Sequence, residues 1–473
     1  VERIETDVCV IGAGSGGLSV AAGAVQMGAR VVLVEGHRMG GDCLNFGCVP
    51  SKALIAAAKH AHAMTTGAPF GVAPAAPQVD FAAANDYVAR VIAAIAPVDS
   101  QERFEGLGVR VIRDWARFVS PTELEAGAQR IVARRFVIAT GSSPLVPPIP
   151  GLDGVPFLTN ETVFGLRERP GHLLVIGGGP IGLEMAQAHR RLGSAVTVIE
   201  AAKALGKDDP ELAALVLERL RAEGIEIAED AQAGEVSGGE GAIRIRTQDG
   251  RSFEGTHLLV AAGRRVNLDR LELDRGNVAH DRRGVTVDAG LRSTTNRRVY
   301  AVGDAAGGLQ FTHVAGYHAG VVIRSMLFGL PSKARTDHLP WATYTDPELA
   351  QVGPTEAEAR ARHGDRLRVV RWHFAENDRA QAEGRTGGLV KVMVLRGRPI
   401  GASIAGPQAG ELIGIWALAI ANRLKMSAIA GTVLPYPTLA EVNKRAAGAY
   451  YSPRLFDNPW VKRVVGAVQR LLP

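Results

Sequence analysis

Two cysteines carry the densest chemistry in the chain. In Gly40-Gly41-Asp42-Cys43-Leu44-Asn45-Phe46-Gly47-Cys48-Val49-Pro50-Ser51-Lys52 the thiols stand five residues apart, and an Ala-rich run to about Met64 follows. That run reads as a helix with Pro50 in its first turn, which puts Cys48 at or just before a helix N-terminus. Free N–H groups and the helix dipole favour a thiolate there, the form that attacks disulfides and binds soft metals. Three other readings compete. A structural disulfide over so short a loop would contribute only about 2 kcal/mol, and a cytoplasmic chain would not keep it oxidised. A zinc site needs four ligands, and His37, His60 and His62 do not complete one. Two inert thiols leave the Pro-Ser-Lys helix start unexplained. Redox use fits best. Cys9 lies inside an apolar strand and reads as core filling.

The elements that must position this pair are nucleotide-binding ones. An apolar strand, Val8-Cys9-Val10-Ile11, runs into Gly12-Ala13-Gly14-Ser15-Gly16-Gly17; a helix-like segment follows, then the strand Val31–Val34 ending at Glu35. In such a unit Gly12 permits the tight turn, Gly14 lets the backbone approach a pyrophosphate, and Gly17 lets helix pack on strand. The helix N-terminus faces the phosphates and the acid accepts from ribose hydroxyls. The same order recurs later. Leu173–Ile176 leads into Gly177-Gly178-Gly179-Pro180-Ile181-Gly182, a helix-like run, and Val196–Ile199 ending at Glu200. Gly12 to Glu35 and Gly177 to Glu200 both span 23 residues. One glycine fingerprint is weak; two with matching context imply two dinucleotides.

Further strand ends point the same way. Phe136-Val137-Ile138 runs into Ala139-Thr140-Gly141, and Leu258-Leu259-Val260 into Ala261-Ala262-Gly263. Val299–Val302 ends at Gly303-Asp304, where the carboxylate is placed to hydrogen-bond a ligand hydroxyl rather than serve as a plain turn residue.

At 473 residues, with 46% hydrophobic and 22% charged side chains, the chain has the balance of a globular protein of two to four domains. Its net charge of +6 comes with scattered basic residues and only 5% aromatics. That argues against nucleic acid and suits an anionic dinucleotide. Three cysteines are too few for a disulfide-stapled secreted domain. The opening residues show no signal-peptide pattern, and the longest apolar stretch noted, near Leu412–Ala421, is too short to span a bilayer. The cytoplasm is the expected compartment. The first residue is Val, so a segment upstream of this numbering is compatible with the sequence.

The motif around Cys43 and Cys48 resembles the signature of the pyridine nucleotide-disulfide oxidoreductases, which include dihydrolipoamide dehydrogenase, glutathione reductase and mercuric reductase. The likeness runs to about residue 450. It implies an α/β fold with two Rossmann-like dinucleotide-binding domains, one inserted in the other, plus a C-terminal α+β dimerisation domain. FAD would occupy residues 1–145 and 275–335, the nicotinamide cofactor 146–274, and a homodimer interface 336–451, with a basic tail at 452–473. The resemblance implies that Cys43 and Cys48 form a redox disulfide, Cys43 meeting substrate and Cys48 lying beside the flavin. It implies that Lys52 pairs with Glu184, and that Gly41, Thr140, Gly141, Ser142, Asp304, Gln310, Phe311 and Thr312 help hold the flavin. Glu200 should favour NADH over NADPH by repelling the extra phosphate, a preference that Lys203 and Lys207 would soften.

The chain departs from that pattern at one telling place. Where dihydrolipoamide dehydrogenase and glutathione reductase carry His-Pro-Thr, it reads Tyr436-Pro437-Thr438, while Glu441 keeps the following acid. A tyrosine titrates near pH 10 and is a poor base where an imidazole would be poised. Mercuric reductase also lacks that histidine, but its C-terminal cysteine pair is missing here. The tail sets Trp460, Val464, Val465, Val468, Leu471 and Leu472 on one helical face, with Lys462, Arg463 and Arg470 elsewhere. Such a helix packs on the protein's own dimer or touches a membrane surface, leaving the protein cytoplasmic or peripheral to a membrane. The expected activity is transfer of electrons from NADH through FAD and the cysteine pair to a small-molecule acceptor: a disulfide, a soft metal ion or a quinone. A flavoprotein redox sensor with little turnover and a thiol-independent flavin reductase are the alternatives.

Overall fold

The computed structural model describes residues 2–472. The chain forms two compact units, one of residues up to 68, 72–201 and 230–334, the other of 69–71, 202–229 and 335 onward.

In the first unit, the long strand Glu2–Ile11 lies between Val31–Val34 and Gln129–Ile138, parallel to both. Arg110–Ile112 extends the sheet beyond Val31–Val34, and Ala116–Ser120 and Glu123–Ala126 complete it as an antiparallel ribbon. The C-terminal parts of these central strands, Val8–Ile11, Val31–Val34 and Phe136–Ile138, are apolar and buried, as parallel strands covered on both faces are. Cys9 sits opposite Phe136 with no exposure, and burial pushes its thiol pKa up. It is core, as its strand position predicts.

A second parallel sheet places His172–Ile176 between Ala195–Ile199 and His257–Val260. After it, the chain returns to the first sheet: Val299–Ala301 pairs with Gln129–Ile138, Tyr300 opposite Val137. One nucleotide-binding fold is therefore inserted in the other. The returning strand delivers Gly303-Asp304 and the helix Thr312–Phe328 to the ends of the first sheet's strands.

The other unit is built on an antiparallel sheet. Its order is Pro340–Thr343, Glu348–Val352, Arg398–Gly406, Leu389–Leu395, Leu367–His373. Helices Gly414–Ala421 and Glu441–Ala449 cover it around Trp416, whose indole N–H donates to Asn443 Oδ1 at 2.7 Å. Lys391 on the central sheet is only 3% exposed, and its Nζ is matched by Asp209, Glu211 and Glu356 carboxylates at 2.8, 2.6 and 3.0 Å. A charge buried that deeply is tolerable only with such partners.

The apolar helix Ala409–Ala421 is short, in line with expectation, but a second run went unnoted: Phe81–Gly106 is 26 residues long and one 18-residue stretch of it has a mean hydropathy of 1.3, enough by length and composition to cross a membrane. Pro97 interrupts its apolar pattern, which hid it. The run is tied into the first unit by buried Phe81, Val88 and Phe104 and by Asn85, whose amide donates to Leu166 O. It is an element of that unit's fold.

Candidate active site

Three segments of the first unit meet at the thiols. The helix Cys48–Ala63 begins at Cys48 itself, so the sulfur sits on the first turn, where unpaired N–H groups stabilise negative charge. Cys48 Sγ lies 3.4 Å from Thr312 Oγ1. The Cys43 thiol donates to Cys48, and together with Thr312 and Lys52 it holds the Cys48 pKa down to about 6, although atoms crowding the exposed sulfur partly offset this. The same pairing and burial push Cys43 up. Both thiols are free, Cys43 half-buried and Cys48 exposed. The pair thus shares one proton, kept on Cys43.

The sulfurs have different surroundings. Cys43 and Thr312 line a cleft of about 390 Å³, together with Ser15 and Ser19 at the start of the first helix and Ile95, Asp99 and Arg103 from the long apolar run. Cys48 is not among the residues lining that cleft; it stands one turn before Lys52 on the helix Cys48–Ala63. The Lys52 ammonium donates to the buried Glu184 carboxylate at 2.8 Å, joining the thiol helix to the helix Pro180–Arg191 of the second nucleotide fold.

The thiol loop is pressed against the first glycine loop. Gly40 N–H donates to Ala13 O at 2.9 Å, and a Cβ on Gly41 would lie 2.7 Å from Gly14 Cα at a φ of +61°. Only glycine fits both demands. The loop's other face is braced by Asp42, which accepts from Asn160 at 3.0 Å and pairs with Arg264 at 3.1 Å. Arg264 also donates to Ser142 Oγ and O, both at 2.7 Å, and Ser142 Oγ donates to Asp304 Oδ2 at 2.5 Å. Burial raises the Asp304 pKa while Ser142 and Arg264 oppose the shift.

Glu35 closes the first loop by accepting from Ala13 N–H and His37 N–H, both at 2.6 Å. Glu200 closes the second by accepting from Gly178 N–H at 2.7 Å. Gln310 and Phe311 sit in the turn before Thr312, with Phe311 stacked on His313 at 5.4 Å. Gly263 marks the end of the strand His257–Val260 and leads into Arg264. His318 accepts from Gly303 N–H at 3.2 Å, a structural role.

In the other unit, Tyr436 is 69% exposed and its hydroxyl donates to Asp378 Oδ2 at 2.8 Å. The Asp378 carboxylate raises the phenol's pKa further above its ordinary value. Glu441 opens the helix Glu441–Ala449.

The sequence reading overlooked Asp42, Asn160 and Arg264, which brace the thiol loop, and Asp99 and Arg103, which line the cleft. Asp42 stood inside the cysteine motif and Arg264 directly after a strand-end glycine, so both carried a signal. Asn160, Asp99 and Arg103 had none, being brought in by tertiary folding alone.

A thiol on a helix start with a second thiol beside it, set against one glycine loop and tied through Lys52 and Glu184 to the fold of another, defines a dithiol oxidoreductase of the doubly nucleotide-binding kind. Residues 6–319 match the pyridine nucleotide-disulphide oxidoreductase family and residues 339–447 its dimerisation domain. The chain belongs to that family. It is 36% identical over 465 residues to a mercuric reductase of Acidithiobacillus ferrooxidans, covering 94% of this chain and 83% of that protein. It is 32% identical over 448 residues to dihydrolipoyl dehydrogenase of Bacillus subtilis, covering 92% and 96%. Among solved structures, LpdA of Mycobacterium tuberculosis superposes with a TM-score of 0.86 at 26% identity, covering 95% of this chain and 99% of that one. The Cu(II) complex of the HOCl-induced flavoprotein disulfide reductase RclA from Escherichia coli gives 0.82 at 28%, covering 93% and 99%.

The family uses FAD and a pyridine nucleotide, and the residues here fit the flavin. The Gly14–Gly41 approach leaves a side-chain-free cradle at the first loop. Thr140 Oγ1 is buried without a hydrogen-bond partner among the described residues, as a group awaiting a ligand polar atom would be.

Proposed function

We propose that this protein is an NADH-dependent FAD oxidoreductase whose Cys43–Cys48 pair delivers electrons to a thiophilic metal ion such as mercuric or cupric ion. The first glycine loop would hold FAD, which would supply two-electron carriage between nicotinamide and thiols. Glu35 would hold its ribose, and Gly12, Gly14 and Gly17 its pyrophosphate. The second loop, Gly177, Gly179 and Gly182 with Glu200, would bind NADH. Lys52, oriented by Glu184, keeps positive charge beside Cys48 and favours its thiolate. Cys43 lines the cleft, where an incoming ion would meet one thiol and one thiolate and displace the shared proton on binding both sulfurs.

The observation that carries the choice of acceptor is the tie between Tyr436 and Asp378. Reducing a disulfide consumes a proton (NADH + H⁺ + RSSR gives NAD⁺ + 2 RSH), and a positioned acid–base group speeds that transfer by about 10²–10⁴. Reducing a divalent ion releases one instead (NADH + Hg²⁺ gives NAD⁺ + Hg⁰ + H⁺). At the position matching the family's histidine, a phenol held protonated by a carboxylate is badly suited to the first reaction and irrelevant to the second. The likeness to mercuric reductases supports the same reading. A small disulfide is the second reading, favoured by the retained Glu441 and by a cleft large enough for one. Homodimer assembly is proposed from the matched dimerisation domain.

Turnover by the purified holoenzyme with mercuric ion, cupric ion, lipoamide and oxidised glutathione tests the assignment, alongside Tyr436→His. Metal-ion turnover should exceed disulfide turnover, and Tyr436→His should raise the disulfide rate by up to about 10². Faster disulfide than metal turnover by the native enzyme would overturn it. Anaerobic NADH titration should produce a long-wavelength thiolate–flavin band that Cys48→Ser abolishes. Full metal turnover in Cys43→Ser would establish a thiol-independent flavin reductase instead, and negligible turnover with every acceptor a redox sensor.

A further inference from the structure

The geometry points to the helix Pro459–Leu471 as a docking element for an anionic lipid surface, an inference independent of the acceptor. Asn458 starts the helix, its side chain accepting from Trp460 N–H at 3.0 Å. At 3.6 residues per turn, Trp460, Val461, Val464, Val465, Val468 and Leu471 fall on one half of the circumference. Lys462, Arg463 and Arg470 fall on the other half, where the helix carries no acid. No residue of the helix is buried. Trp460 is 71% exposed and Leu471 81%, and Phe456 just before the helix is exposed as well.

Two observations select the occupant. The first is charge. A helix that covers a protein surface usually has a narrower apolar stripe and charges of both signs on its outer face. Here the apolar half is wide and every charge on the other half is cationic, which complements anionic headgroups, while tryptophan suits the boundary between headgroup and acyl chain. The second is position. The match to the dimerisation domain ends at residue 447, so this helix lies outside the part of the chain that family membership assigns to the dimer.

Flotation of the full chain, as holoenzyme, with phosphatidylcholine vesicles containing about one third phosphatidylglycerol tests the assignment. Partition should be strong on these vesicles, weak on pure phosphatidylcholine, and reduced by high salt. The Lys462→Gln/Arg463→Gln double variant should bind about 25-fold more weakly, about fivefold per cation. Val465→Asp should lose at least about tenfold by placing a charge on the apolar half. Both variants should keep native NADH consumption and molar mass. Failure to float with anionic vesicles, or equal partition onto neutral ones, would overturn the inference. So would a change of oligomeric mass in lipid-free Val465→Asp, which would show the face covered by a second copy of the chain.

Discussion

The two glycine loops are near copies, yet their surroundings differ. In each, an acid at the end of the second strand turns back to accept an N–H from the loop: Ala13 to Glu35 at 2.6 Å and Gly178 to Glu200 at 2.7 Å. In each, the last glycine touches the loop's start. A Cβ on Gly17 would lie 1.8 Å from Gly12 O, and one on Gly182 would lie 2.0 Å from Gly177 O. What differs is the cover at the helix start. The thiol segment closes over the first loop, through Gly40 and Gly41, whereas in the second Gly177 and Gly178 are buried but Pro180 and Ile181 are exposed. Under the proposed assignment, the covered loop would hold the resident flavin and the other the exchanging nicotinamide cofactor.

The largest effect expected from this comparison comes from making the same substitution in both loops. Gly17→Val and Gly182→Val each force backbone apart at a contact that no rotamer can relieve, costing on the order of 4 kcal/mol, or about a thousandfold in affinity. The readouts should diverge. Gly17→Val should purify without flavin colour. Gly182→Val should stay yellow and reducible by dithionite while losing reduction by NADH. A yellow, NADH-reducible Gly17→Val would break the assignment of the loops.

Breaking the link between the folds comes next. Lys52→Met leaves the buried Glu184 carboxylate without the ammonium at 2.8 Å. Because the Lys52 side chain is 39% exposed, solvent screening discounts the full cost of a broken buried pair, leaving about 1–3 kcal/mol. A fall in thermal midpoint with flavin retained, together with about tenfold slower reduction by NADH, is expected. An unchanged midpoint and rate would mean that the pair matters to neither fold nor electron path.

Much of this site was legible in sequence because short motifs dictate it locally. Cys48, Pro50 and Lys52 share one helix start, and each glycine loop needs only its flanking strand and helix. The insertion of one nucleotide fold in the other was legible through the resemblance, since no local pattern ties Val299–Ala301 to a sheet formed some 160 residues earlier. The braces were not legible. Asn160 reaches Asp42 across 118 residues of chain, and nothing in its neighbourhood marks it. The long apolar run was missed because Pro97 and scattered charges broke a pattern that tertiary packing tolerates.

Glu200 offers a smaller and sharper test. Its carboxylate accepts from Gly178 N–H at 2.7 Å; under the proposed assignment it would meet a ribose diol, and its charge would repel a phosphate there. Glu200→Ala should remove about one charged hydrogen bond from NADH and the repulsion from NADPH, shifting the ratio of their kcat/KM values about tenfold toward NADPH. The matching change at Glu35 should leave that ratio alone and weaken flavin retention. A coenzyme shift from Glu35→Ala would mean the loops had been assigned the wrong way round.

The subtlest effect concerns proton placement beside the enclosed loop. With Cys48 near 6 and Cys43 raised, the reduced enzyme holds one thiolate at neutral pH, on Cys48. The folded value lies below the ordinary thiol range, so the charged form is present above it and lost as pH falls through about 6. The thiolate–flavin band should follow that titration. Thr312→Val deletes a hydroxyl 3.4 Å from the sulfur and should move the midpoint upward by about half a unit, the worth of one weak hydrogen bond. Lys52→Met should shift it the same way by removing positive charge. A midpoint that stays put in both variants would leave the helix start and Cys43 as the sources of the low value, and the shift in Cys43→Ser would then separate the two.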